Sequence, residues 1–462
     1  MTAPHGRAPL PIGELTDEQY GQVIRPDDAE YEAARTVYAG DIDRRPAVIL
    51  RPRNAQQVAR VVALAQETGL ELAVRSGGHS GAGHGVCEGG IVLDLANMRA
   101  LEIDVEARTA WAETGISAGE YTQAAAEHGL ATGFGDSSQV GVGGITLGGG
   151  IGFLSRKHGM TIDDLLAAEI VTADGELLSV DEHHHPDLFW AIRGGGGNFG
   201  VATRFKLRLH EVDGVYGGML VLPVTPEILE AFIAEAEAAP EELSTIVNVW
   251  TAPPFPFVPA EYHGKPIILA VMCYAGPSEA GEEVIGRFRA IAPPLADMVR
   301  AIPYPGMFPP ADPTQRPISV ARNMFIDRVD RATAETILER VTASTAMVAG
   351  AQLRVLGGAI ARVPSDATAF AHRQSKIMAH LSAVYADQAE AGLHATWADE
   401  FMAAIQQSDS GSYANFIVDA GQERIREAVY PGATGERLAQ IKAKYDPTNL
   451  FRSNHNILPA TS

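Results

Sequence analysis

Apolar and polar positions along the first third of the chain alternate between two periods. Residues 47–50 form a short apolar run, and Asn54 then caps a segment with Val58, Val61, Val62 and Ala65 at helical spacing, ended by Gly69. Residues 70–74 read as a strand that breaks into a glycine loop at 75–81, and residues 91–95 read as another buried strand. Residues 101–105 and 109–113 predict a hairpin, and Ser117 predicts the start of a helix through Tyr121, Ala125 and His128. Strands are expected at 168–172, 177–180 and 201–209, with a short helix at 187–192. Beyond residue 214 glycine thins out, and helices (226–238, 330–343) alternate with strands (267–274, 352–356). That pattern predicts an antiparallel sheet backed by helices, hence a second domain of α+β class. The tail carries a helix at 436–445.

Composition narrows the picture. Of 462 residues, 46% are hydrophobic and 20% charged, the balance of a compact globular chain of two or three domains. A net charge of -21 argues against nucleic acid or an anionic membrane as partner. Cys87 and Cys273 are too few for a disulfide framework or a thiolate metal site, and neither a leader peptide nor a membrane span is visible, so the expectation is a cytoplasmic protein.

The 47 glycines are unevenly placed. Residues 141–152 hold seven of them, a density that ordinary helices and strands avoid. A third cluster spans Gly194 to Gly200. Three such clusters predict close approach of main-chain amides to an extended, charged ligand, and a dinucleotide fits. Yet Gly195, Gly197 and Gly200 run into a strand rather than a helix, which disfavours a nicotinamide-binding fingerprint. In the first cluster, Arg75, Ser76 and the amides around Gly77, Gly78, Ser80 and Gly81 are expected to cradle a pyrophosphate, and the His79 imidazole is a candidate nucleophile. The run His183-His184-His185 has no metal-ligand spacing and reads as a solvated loop.

Five ordered motifs then resemble one family: residues 74–79 (VRSGGH), 140–152 (VGVGGITLGGGIG), 186–194 (PDLFWAIRG), 413–416 (YANF), and 445–447 (YDP) with 454–457 (NHNI). Together they resemble the FAD-linked oxidases of the berberine-bridge-enzyme-like group, within the vanillyl-alcohol-oxidase fold. The resemblance implies an α+β protein. A two-subdomain FAD-binding domain (residues 1–212) and a substrate domain (213–419) would be completed by a C-terminal return (420–462) to the FAD-binding part. It implies FAD joined covalently through His79. The cysteine that many members carry before V-G-V-G-G is replaced by Ser137, so no cysteinyl link is expected. It further implies Val140, Gly141, Gly143, Gly144, Gly149, Gly200, Val201, Asn415, Asn454 and Asn456 as cofactor contacts.

A valine at 140 goes with access of dioxygen to the flavin, hence with an oxidase that releases hydrogen peroxide from a small-molecule alcohol or amine. A dehydrogenase using another acceptor, an oligosaccharide oxidase and a non-catalytic flavin-binding homologue are the competing readings. Tyr413 and Asn415 are expected on one face of a strand at 413–418, with Tyr413 as the proton-handling hydroxyl. Gln352 shares a strand face with Arg354, and residues 351–362 offer no carboxylate base. Arg354, if it faces the site, would lower the Tyr413 pKa.

Overall fold

A computed structural model of the protein describes residues 10, 12–309, 312, 314–418 and 427–461. The expected boundary at 419/420 lies outside these residues. The helix Ala55–Thr68 begins where the Asn54 side chain accepts the Gln57 amide and ends at Gly69 in left-handed conformation. Its Val58, Val61, Val62 and Ala65 pack on the parallel strands Val48–Arg51, Ile91–Asp94 and Leu72–Arg75, which lie in that spatial order. The 75–81 loop therefore leaves the end of an edge strand of this small sheet.

A second, five-stranded antiparallel sheet runs in the order Leu101–Asp104, Thr109–Glu113, Val201–Arg208, Leu165–Val171, Leu177–Asp181. Beside it lies the helix Ala118–Ala126, started by a reciprocal Ser117/Glu120 capping box. One expectation fails here: Val142–Gly148, inside the densest glycine cluster, is a seven-residue helix. Glycine lowers helix propensity by only about 1 kcal/mol per residue. Packing outweighs it: added Cβ atoms at Gly141 and Gly77 would sit 2.2 Å from each other's backbone nitrogen, so the first two glycine clusters cross main chain to main chain.

The third sheet is wholly antiparallel among the described residues. Its principal order is Ala296–Asp297, Val215–Pro223, Pro266–Tyr274, Leu243–Thr251, Val348–Val355, Ile377–Tyr385, Ile318–Ile326. Period-two alternation divides its faces. Val247, Val249, Leu353, Ala379, Leu381 and Met324 form one apolar face beneath the helices Pro226–Ala238, Arg331–Ala343 and Ala391–Ile405. The opposite face carries Asn248, Gln352, His380 and Asn323 as direct cross-strand partners. Around this polar row Phe325 and Met378 pack against Ile151, Met160, Phe370 and Tyr413, which joins this sheet to the glycine-rich part of the chain.

Candidate active site

The 75–81 loop is held from below. Arg75 points inward: its guanidinium lies 2.8 Å from buried Asp94, which also pairs with Arg51 at 2.7 Å. These contacts hold the Asp94 carboxyl below its usual pKa despite its burial. The Arg75 side chain, expected to reach a pyrophosphate, is thus paired within the loop's own scaffold. Ser76 Oγ donates to the Thr114 carbonyl at 2.5 Å and accepts the Gly143 amide at 3.3 Å, tying the first two glycine clusters together. Gly78 turns the chain at φ +68°, a conformation costly for side-chain-bearing residues. His79 then emerges with its ring stacked 4.4 Å from Tyr38, and burial pushes its pKa down, so the imidazole is neutral at pH 7. Ser80 Oγ lies 3.3 Å from His84 Nδ1, and Gly81 packs against Val418.

Tyr413 is fully buried above the second cluster. Its hydroxyl accepts the Gly150 amide at 2.8 Å and the Asn415 side-chain amide at 2.9 Å, while Asn415 also donates to the Ile145 carbonyl. The segment is a 3-10 turn at Ala414–Phe416 and not the expected strand. The Tyr413 amide bonds the Asn323 side chain, and the Phe416 amide folds back to the Tyr413 carbonyl. Side chains 413 and 415 converge all the same. Burial raises the Tyr413 pKa, outweighing the opposite pull of its hydrogen bonds and of Arg354, which corrects the expectation of a lowered value.

Arg354 is engaged across the cleft with Asp136 at 2.6 Å, with Gln352 Oε1 at 2.7 Å, and over the Phe416 ring. Gln352 donates onward to Asn248, which donates to the Leu269 carbonyl. Half-buried Ser137 and Val140 follow Asp136 on the same loop, and the Val140 carbonyl accepts the Ala118 amide. Burial pushes the Cys87 and Cys273 thiols up to about 12, which leaves neither as a reactive thiolate.

The tail closes over the third cluster. Lys442, fully buried, donates to the Asn198 and Phe451 carbonyls and to Asp446 at 2.6 Å. Asn454 donates to the Gly197 and Phe451 carbonyls, yet its Oδ1, like that of Asn456, is buried without a partner among the described residues. An added Cβ would meet open space at Gly144 and Gly197. At Gly149 it would strike Met160 and Tyr413, and at Gly200 it would strike Ile170 and Val171, beside buried Val201. Chain packing therefore accounts for the last two glycines, while Gly144, Gly197 and the two orphaned amide oxygens suit a polar ligand lying over the glycine clusters.

Comparison with known proteins gives the family. A family profile described as "FAD binding domain" matches residues 46–181, and one described as "Berberine and berberine like" matches 412–458. The chain is 30% identical to the (R)-6-hydroxynicotine oxidase of Paenarthrobacter nicotinovorans over 456 residues, covering 96% of this chain and 97% of that one. It belongs to the berberine-bridge-like FAD-linked oxidoreductases. An FAD-linked oxidoreductase of Dictyostelium discoideum is 29% identical over 97% of each chain. The crystal structure of 6-hydroxy-D-nicotine oxidase from Arthrobacter nicotinovorans superposes with a TM-score of 0.84 at 28% identity, covering 95% of this chain and 98% of that one.

The protein is accordingly an FAD-linked oxidoreductase of vanillyl-alcohol-oxidase fold. No helix among the described residues is long and apolar enough to cross a membrane, and none of their His, Cys, Asp and Glu side chains cluster as a metal site. His183, His184 and His185 are exposed, with His184 held by Asp181. Sequence reasoning missed Asp136, Asn248, Phe416 and His380, which converge only through strand register and the crossing of chain segments. Polar residues at 248, 323 and 380 within largely apolar strands were the available signal.

Proposed function

We propose that this oxidoreductase removes hydride from an alcohol or amine carbon of a small molecule, with FAD joined covalently to His79 and reoxidised by dioxygen to yield hydrogen peroxide. Residues 1–212 and the tail from 420 would hold the cofactor, and 213–419 would present the substrate. The observation that carries the reading is the half-buried, neutral His79 imidazole on a loop fixed by the Arg75/Asp94 pair and by Ser76. A neutral ring nitrogen is the nucleophilic form that covalent attachment needs. The bound flavin supplies the two-electron acceptor, and the chain supplies position and proton handling.

Asn454 Oδ1 and Asn456 Oδ1 suit the cofactor's donors, and the backbone at Ser80, Gly81, Gly141 and Gly143 would line its path. Tyr413 acts as a hydrogen-bond donor: its oxygen accepts two N–H groups, and its proton has no acceptor among the described residues. Gln352 orients the substrate through a side chain itself fixed by Asn248 and Arg354. Val140 leaves room for dioxygen beside the flavin.

Acid-precipitated protein should retain its yellow colour on the peptide holding His79, an anaerobic alcohol or amine should bleach it, and air should restore it with stoichiometric peroxide. Flavin released quantitatively by acid refutes the covalent link. Reduced protein that is stable in air refutes the oxidase assignment and points to another electron acceptor.

A further inference from the structure

The polar row across the third sheet leaves one group without a task. Asn248, Gln352, His380 and Asn323 occupy one register line on four adjacent strands, so their side chains project from the same face. Three of them are satisfied: Asn248 by the Leu269 carbonyl and Gln352, Gln352 by Asn248 and Arg354, and Asn323 by the Tyr413 amide. His380 stands between Gln352 and Asn323, and among the described residues neither ring nitrogen has a hydrogen-bond partner. Its ring is half-buried, its Nδ1 is shut off from solvent, and the Phe416 ring lies 4.9 Å away. Phe416 belongs to the turn that also carries Tyr413 and Asn415, so the unpartnered imidazole opens toward the same cleft. An unsatisfied buried nitrogen is unfavourable, which favours a ligand that restores the missing bond.

We propose that His380 is the base that takes the substrate's O–H or N–H proton as the neighbouring carbon is oxidised. This inference rests on the oxidase reading above and names the residue that handles its proton. The O–H or N–H bond breaks and an N–H bond forms on the imidazole. The C–H bond breaks as hydride, whose electron pair passes to the oxidised flavin, and the heteroatom's electrons close the C=O or C=N bond. The resulting imidazolium afterwards returns its proton to water.

The charged groups that face His380 are Arg354 from the adjoining strand and Asp136 from the glycine-rich side. Burial and Arg354 push the His380 pKa down to about 4, and Asp136 opposes them. The imidazole is therefore neutral throughout the physiological range, with one ring nitrogen carrying a free lone pair. The other groups of the cleft are poor bases: Tyr413 has both acceptor positions filled, and Asp136 is paired with Arg354.

The test compares the FAD-loaded wild type with His380→Gln and His380→Ala. Anaerobic flavin reduction should slow by about 100-fold or more in both, at the low end of a positioned base. Flavin content, absorbance spectrum and substrate dissociation constant should change less than about threefold. Added imidazole should partly restore His380→Ala, and the acid limb near pH 4 should vanish in His380→Gln. A rate within about threefold of wild type, or a loss that imidazole does not relieve, overturns the proposal.

An independent readout is the titration of 15N-labelled histidine. The resonance missing from His380→Gln should keep its neutral signature down to about pH 5, whereas titration near the unperturbed value of about 6.5 overturns the shielded-base assignment. If no alcohol or amine reduces the wild type, the oxidation reading itself falls. The base role falls with it, whereas a wild type that is reduced and a His380→Gln variant reduced equally fast overturn the His380 assignment alone.

Discussion

Replacing Tyr413 by Phe removes one oxygen and leaves the ring, so it isolates the hydroxyl's two acceptor roles. The Gly150 amide, 2.8 Å away, lies in a buried turn and loses its partner outright. A buried donor left unsatisfied costs about 1–3 kcal/mol. The Asn415 amide keeps the Ile145 carbonyl at 3.3 Å and should add about 0.5–1 kcal/mol. A total of roughly 1.5–4 kcal/mol follows, which lowers the melting temperature by about 3–16 °C at roughly 2–4 °C per kcal/mol for a large cooperative unit. The same change removes the phenolic proton from the cleft, so anaerobic flavin reduction should slow by about tenfold while the flavin link persists. Differential scanning fluorimetry and stopped-flow reduction on the same preparation read both effects. A melting temperature within about 1 °C of wild type would refute the reasoning, because it would mean that the hydroxyl is not the partner of the Gly150 amide.

Val140→Leu should slow reoxidation by dioxygen while leaving anaerobic reduction nearly unchanged; equal slowing of both half-reactions, read by stopped-flow absorbance, would make Val140 a packing residue. Lys442→Met strands buried Asp446 and should destabilise the tail by about 3–5 kcal/mol, seen as a lowered melting temperature and early proteolysis within residues 427–461. Acid should also weaken the fold. Burial pushes His84 down to about 3 and His455 to about 4, so between pH 6.5 and those values the unfolded chain binds protons that the folded chain refuses. Stability is then full above about pH 6.5 and falls with decreasing pH by up to about 1.4 kcal/mol per pH unit for each ring. His84→Asn should flatten that slope in melts taken between pH 7 and 5, and an unchanged slope would count against the burial argument.

Local signals were legible without the fold because their energetics are local. Asn54, Gly69 and the spacing of Val58, Val61 and Val62 define the helix Ala55–Thr68, and Ser117 with Glu120 starts the helix Ala118–Ala126. The glycine clusters, His79 and the closing motif likewise pointed to the FAD-linked oxidoreductase family. The fate of Arg75 was not legible, since residues 75 and 94 meet only when their strands pair in parallel. Neither was the helix Val142–Gly148: its glycines read as loop residues, and packing of one backbone against another outweighs their weak propensity. His380 shows the limit most clearly. Only pairing with residue 352 on one side and 323 on the other places its ring beside Phe416 and within reach of the Arg354 charge. Sequence determines the period of each segment because the relevant contacts span three or four residues. Which polar side chains share a cleft depends on strand register between segments tens to hundreds of residues apart, and only the tertiary structure sets that register.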